Sequence, residues 1–280
     1  MMDVLFGDVS NLRQILECAS QSLIGTYGNE HLLAEQFEAI PGRIICICPM
    51  VLCRAMLQDL GLEPNKDLLE GVGLSMYSIS THDDLVDEQP REREIVAALT
   101  YSRNIASLAG ISHLVSNGHI GVARRIIELM NLNHQFQTAI TCSLWTGPSD
   151  ERQYLEAIRH TGYWASVGLV AAVVHAELED LESFALHFGN LYGRMCQIYD
   201  DVREIDDDIR NGYFSLPISI ALANGYNLED LAERDKATLR SRQLAAEAFK
   251  ESNVLCRSQF PALLNLAERM HRTGQNLFAT

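Results

Sequence analysis

The stretch Thr81-His82-Asp83-Asp84-Leu85-Val86-Asp87-Glu88 combines residue types and spacing suited to binding a hard cation. In a helix, Asp83 and Asp87 stand one turn apart on one face, about 5.4 Å along the axis, with Asp84 beside them. Carboxylates placed this way repel one another, and the negative end of the helix dipole repels them further. A divalent cation, magnesium before others, resolves that conflict by neutralising oxygen ligands gathered at the foot of an apolar segment. The design returns in Leu191-Tyr192-Gly193-Arg194-Met195-Cys196-Gln197-Ile198-Tyr199-Asp200-Asp201-Val202-Arg203-Glu204, where Asp200 and Glu204 share a face and Asp201 flanks them. Two such ends facing each other across a bundle would hold several divalent ions. Ions held there would grip a diphosphate and absorb the charge that develops on it as it leaves. The acids that follow, Asp206, Asp207 and Asp208, read as a solvated helix end rather than as ligands.

The elements that must position these acids are helical throughout. Leu12, Ile15, Leu16, Ala19 and Leu23 recur with helical period over Ser10 to Ile24, and a short helix is predicted around Asn29 to Ala39. An apolar helix follows from Ile44 to Leu60, bent at Pro49. The uncharged run from Gly71 to Thr81 places the first acids at the end of a buried helix over Asp67 to Glu88. Beyond Pro90 and the charged turn Arg91-Glu92-Arg93-Glu94, a helix from Ile95 to Val115 breaks at Gly118 and Gly121, and another runs on toward Trp145. Ser149 is the predicted cap of a helix through Tyr154, Ile158 and Trp164 to Ala176. The second acid trio lies on a helix from Leu181 to Asp208, and helices resume from Leu216 to the end, interrupted at Gly225 and Pro261. No confident strand pattern occurs. The fold class is all-α, a single domain over 1–280 with about ten or more helices around a central cavity.

Composition narrows the partners. With 280 residues and 47% hydrophobic content the chain can bury a large core. Its net charge of -15, from 37 acids against 22 bases, argues against nucleic acid and anionic membrane. Only Lys66, Lys236 and Lys250 are lysines, so arginine carries nearly all the positive charge. Seven cysteines with no C-x-x-C pair, an N-terminus without the regions of a signal peptide, and no uncharged apolar run of spanning length point to reduced thiols in the cytoplasm.

Asp83-Asp84-x-x-Asp87 and Gln197-Ile198-x-Asp200-Asp201-x-x-Glu204 resemble the two aspartate-rich motifs of the trans-isoprenyl diphosphate synthases. Asn211-Gly212-Tyr213-Phe214-Ser215-Leu216-Pro217 is similar to that family's Gly-Lys-x-x-x-Leu-Pro segment, and Tyr154 to Thr161 to its helix ending in Lys-Thr. The resemblance runs from about Pro41 to Ala223. It implies the all-α isoprenoid synthase fold, a homodimer, and magnesium chemistry in which Asp83, Asp84, Asp87, Asp200, Asp201 and Glu204 hold three Mg2+ and, through them, an allylic prenyl diphosphate. It also implies that Ile79 and Ser78, four and five residues before the first acid, line the far end of the prenyl pocket, deep enough there for a fifteen- or twenty-carbon chain unless Tyr77 shortens it. Thr161, Trp164 and Gln197 complete the expected pocket, and Tyr163, Phe184, Phe188 and Tyr192 stand as candidates either for cation stabilisation or for plain core.

The departures from the family are all losses of lysine or arginine. Chain-elongating members bind isopentenyl diphosphate with Gly-Lys-Arg-x-Arg, whereas this chain has Gly42-Arg43-Ile44-Ile45-Cys46. His160 stands for the lysine of Lys-Thr, and Tyr213 for that of Gly-Lys. Each missing charge-assisted bond to phosphate is worth roughly 1.5–3 kcal/mol. Arg91, Arg93, Arg159, His160 and Arg210 are the expected diphosphate contacts, with Arg194 and Arg203 as substitutes. These losses predict an enzyme that ionises an allylic diphosphate without using isopentenyl diphosphate, a class I terpene synthase. The alternatives are a prenyltransferase, elongating a chain or serving another acceptor, and a non-catalytic partner subunit.

Overall fold

The computed structural model describes residues 6–28, 31–79, 93–146, 150–158, 162–257 and 259–276, with side chains at 93–94, 136–146 and 157 excluded. Asp83, Asp84, Asp87, Arg91, Arg159, His160 and Thr161, and the side chain of Arg93, therefore lie outside the described residues. Among the described residues there are α-helices and short 3-10 turns and no strands. The helices are α1 (Ser10–Tyr27), α2 (His31–Glu38), α3 (Ile44–Asp59), α4 (Lys66–Ser75), α5 (Arg93–Ser116), α6 (Ile120–Thr146) and α7 (Glu151–Ala157). They continue with α8 (Tyr163–His175), α9 (Glu182–Arg203), α10 (Ile205–Asn211), α11 (Leu216–Asn224), α12 (Leu231–Cys256) and α13 (Pro261–Asn276).

The centre of the bundle is α8. Every residue from Ala165 to Val173 is buried, as a helix apolar on all sides must be. It packs against α3, α6 and α9, while α4 lies along α5, and α12 covers α9. Close approach of α8 to α3 depends on Gly168, where a Cβ would stand 1.9 Å from the Pro49 carbonyl oxygen. Gly193 does the same between α9 and the start of α8, since a Cβ there would meet the Gly162 Cα at 2.3 Å. Phe188 and Tyr192 are fully buried in a ladder of rings along α9 that Phe184 and Phe260 extend, the centroids of the last two 4.2 Å apart. These aromatics are core.

Three helices end differently from the sequence pattern. The expected helix over Asp67 to Glu88 runs regularly only to Ser75 and tightens into a 3-10 turn over Met76–Ile79. The cause is a hydroxyl from α5: Ser107 Oγ accepts from the Ser78 N–H at 2.8 Å and donates to the Leu74 carbonyl at 3.4 Å. A side chain thus occupies the place of a helical rung and breaks the ladder. The helix expected over Leu181 to Asp208 divides at Glu204, whose carbonyl accepts from the N–H groups of Asp207 and Asp208, both at 2.9 Å. Asp206, Asp207 and Asp208 suit the positive start of a new helix better than the negative end of an old one. The helix expected from Ser149 to Ala176 is two, α7 and α8, and the cap is Asp150. Its carboxylate accepts from the Gln153 N–H at 2.8 Å while Gln153 Oε1 accepts from the Asp150 N–H at 3.0 Å, a reciprocal capping box.

Residues His31–Asp59 form a stretch long and apolar enough to cross a membrane by length and composition, although it lies mostly buried in the fold and a turn at Ile40–Gly42 interrupts it.

Candidate functional site

The foot of α9 brings together acids with opposite fates. Asp201 faces inward and is buried. Its Oδ1 accepts from Gln197 Nε2 at 2.9 Å, and its Oδ2 accepts from the Tyr154 hydroxyl and from the Leu216 N–H at 3.1 Å. One carboxylate therefore ties α9 to α7 and caps the start of α11. Burial pushes the Asp201 carboxyl up, the three donors pull it down, and the Glu204 charge adds to the rise. Burial, then the Asp201 charge, raise the Tyr154 phenol well above its ordinary value, so Tyr154 remains the donor.

Asp200 and Glu204 face outward, their side chains 46% and 47% exposed. The Glu204 N–H donates to the Asp200 carbonyl at 2.9 Å, so the last helical turn holds the two a single turn apart. Arg203 lies between them, paired with Asp200 and with Glu204 at 2.5 Å. A guanidinium drawn to both acids marks where positive charge is stabilised on this face. Two hard oxygen donors at one-turn spacing fit one wall of a magnesium site. Among the described residues, no three His, Cys, Asp or Glu side chains already form a metal cage.

Asp208, read from sequence as a solvated acid, is half-buried. Burial first, then the charges of Asp201, Glu204 and Asp207, against a lowering contact from the Ser215 hydroxyl, together push its carboxyl up to about 7. Asp206 and Asp207 are engaged at the surface, with Arg234 at 2.7 Å and Arg210 at 2.8 Å.

The other sequence candidates divide as follows. Gln197 does not stand free in a cavity; it holds Asp201. Arg210 is exposed and paired with Asp207. Ser78 and Ile79 are buried in the turn that Ser107 opens. Tyr77 is wholly buried, its hydroxyl donating to the Gln36 carbonyl on α2 at 2.9 Å. Trp164 is half-buried against the core. Sequence reasoning missed Tyr154 as the partner of Asp201, because its periodicity marks it only as a core position. It also missed Arg103, fully buried on α5 with its guanidinium carbon 5.5 Å from the Tyr77 ring centroid. A signal existed: Arg103 is the one Lys, Arg, Asp or Glu between Ile95 and Ser116.

No family model matches the sequence, and no curated protein matches it either. Solved structures do. A geranylgeranyl pyrophosphate synthetase from the archaeon Geoglobus acetivorans superposes with a TM-score of 0.70 at 15% identity, over 94% of this chain and 99% of that one. A decaprenyl diphosphate synthase from Rhodobacter capsulatus gives 0.68 at 16%, over 95% and 99%. A geranylgeranyl pyrophosphate synthase from Corynebacterium glutamicum gives 0.69 at 18%, over 96% and 95%. With nearly the whole of each chain aligned, the protein has the all-α fold of the trans-isoprenyl diphosphate synthases.

Proposed function

We propose that the protein is a magnesium-dependent class I isoprenoid enzyme that ionises an allylic prenyl diphosphate of fifteen or twenty carbons without adding isopentenyl diphosphate. The observation that carries this reading is the division of labour at the foot of α9. Asp201 commits its hydrogen-bonding capacity to the fold, and so fixes Asp200 and Glu204 as an outward-facing pair of oxygen donors. Asp200 and Glu204 would hold magnesium, with Asp83, Asp84 and Asp87 as the opposite wall. Bound magnesium supplies charge stabilisation to the departing pyrophosphate. Arg203 is placed to follow that charge.

The basic cluster of elongating enzymes has no counterpart at the start of α3, which supports the absence of a second diphosphate. Beyond Arg43, Ile44 and Ile45 pack on the core, Cys46 is buried, and burial pushes its thiol up to about 12, leaving it neutral. A second reading, prenyl transfer with chain elongation, draws support from the solved structures of this fold described above, which are prenyl diphosphate synthases by name. Incubation with magnesium and geranyl, farnesyl or geranylgeranyl diphosphate, with and without isopentenyl diphosphate, separates the two. A hydrocarbon or alcohol from the allylic substrate alone is the expected result. A longer diphosphate formed only when isopentenyl diphosphate is present refutes the first reading and establishes the second.

We further propose a homodimer joined through α5 and α6. Tyr101, Leu108 and Val115 recur with helical spacing on the exposed side of α5, and Ile120 and Ile127 extend the patch along α6. Leu108 is 66% exposed. The uncharged exposed face of α5 marks an interaction surface; on α6, Arg124, paired with Glu128, lies between Ile120 and Ile127 on the same face.

A further inference from the structure

Tyr199 stands directly before Asp200 on α9 and is buried. Its ring lies in a socket that α13 supplies: a Cβ at Gly274 would meet the ring at 2.4 Å, so the ring needs a glycine there. The Tyr199 hydroxyl donates to Nδ1 of His271 at 2.7 Å, and His271 stacks on Phe249 of α12 with ring centroids 4.4 Å apart. Burial pushes the phenol up to about 12, against a contact from Gln275 and the Arg242 charge, so it stays protonated. Burial lowers the His271 pKa, which leaves a neutral ring with one nitrogen able to accept. The helix α13 is itself held in place. The Asp59 carboxylate, at the end of α3, accepts from the Ala262 and Leu263 N–H groups at 2.8 and 3.0 Å, and α13 packs along α3 and α12.

We infer that Tyr199 and His271 are positioning residues that, together with Asp201, clamp the last turn of α9 from both sides and hold Asp200 and Glu204 in the direction in which the pair takes up magnesium. The inference rests on the magnesium reading proposed above. Consecutive helical residues point about 100° apart, so Tyr199 and Asp201 project on either side of Asp200. Asp201 ties that turn to α7 and α11, and Tyr199 ties it to α13. A helix end held on one side alone can roll about its axis or fray. A roll of about 10° carries a carboxylate about 6 Å from the axis through about 1 Å, which matters to a cation that demands near-ideal octahedral geometry. With both sides held, the roll breaks a hydrogen bond to a buried group, and that resists it.

The test uses the whole chain with Tyr199→Phe, which keeps the ring against Gly274, with His271→Leu, and with His271→Gln, which keeps an acceptor. Hydrogen exchange is followed at the Glu204 amide, whose N–H closes the last turn on the Asp200 carbonyl; this readout needs no metal. Exchange there is expected to quicken at least about tenfold in Tyr199→Phe and His271→Leu, while the amides of α8 keep their wild-type rates. In calorimetric titration with magnesium in the presence of inorganic pyrophosphate, the same variants should bind about three- to tenfold more weakly. The double variant should bind no more weakly than either single one, because both residues act through one bond. His271→Gln should restore both readouts toward the wild type, and Tyr199→Phe carries the test if His271→Leu fails to fold. A pair that serves only the fold would quicken exchange throughout the chain and leave the magnesium affinity of the folded protein unchanged. That result, or unchanged Glu204 exchange in Tyr199→Phe, overturns the clamp and leaves the magnesium reading standing. A wild type that takes up no magnesium with pyrophosphate overturns both.

Discussion

At the scale of residues, adjacent aspartates on one helix do unlike jobs, and substitution should separate them. Replacing Asp201 by Ala leaves the Tyr154 hydroxyl, the Gln197 amide and the Leu216 N–H without their acceptor, at about 1–3 kcal/mol for each donor left buried. The expected outcome is a large drop in the denaturant midpoint. Tyr154→Phe removes a single donor and should cost only about 1–3 kcal/mol. Asp200→Ala and Glu204→Ala, at half-exposed positions, should leave the midpoint and the far-ultraviolet dichroism nearly unchanged while abolishing pyrophosphate release. Full activity in Asp200→Ala would remove the metal wall from α9. A midpoint unchanged in Asp201→Ala would remove its role as anchor.

At the scale of elements, the bundle is set by places where backbones approach without side chains. Gly168 lets α8 settle on the Pro49 turn of α3, and the Cβ of an alanine would meet a backbone oxygen that has no rotamer to yield. Gly168→Ala should therefore destabilise by about 1–3 kcal/mol or more. Gly73→Ala meets the thioether of Met50 at 2.5 Å, the flexible part of a side chain, and should cost less. Equal midpoints for the two variants would show that α3 and α8 are not held at this crossing. Periodicity revealed α1, α3, α5 and α6 because their apolar stripes lie within each helix. It did not reveal the end of α4, since the Ser107 hydroxyl that interrupts its ladder comes from the neighbouring helix.

At the scale of the whole molecule, association and pH response can each be tested. Leu108→Glu should convert the proposed dimer to a monomer in light scattering, with the helical spectrum retained; a wild type that is itself monomeric at all concentrations would refute the interface. His119 is one contributor to the pH response, with His271, which burial lowers in the same direction; His119 lies beside His175 with ring centroids 5.1 Å apart where α6 begins and α8 ends. Burial, then the His175 charge, lowers the His119 pKa from its ordinary value of 6.5, while Asp67 works the other way. Below that value the unfolded chain binds the proton more readily than the folded one. Stability is thus complete above about pH 6.5 and falls as pH drops toward the folded value. Asp208, raised in the fold, contributes the opposite slope between its ordinary value and about 7. Comparison with His119→Gln isolates the histidine: the variant should lose less stability than the wild type between neutral pH and about pH 5.5, and parallel curves would exclude His119 as the group responsible.

The sequence by itself determined the helical class, most helix starts and the one-turn spacing of Asp200 and Glu204, because periodicity, caps and like-charge spacing act over a few neighbouring residues. It marked Asp201 as chemically equivalent to Asp200. Only the tertiary structure distinguished them: consecutive residues on a helix point about 100° apart, and that turn carries Asp201 to Tyr154 and Leu216, donors that lie far away along the chain and adjacent in space.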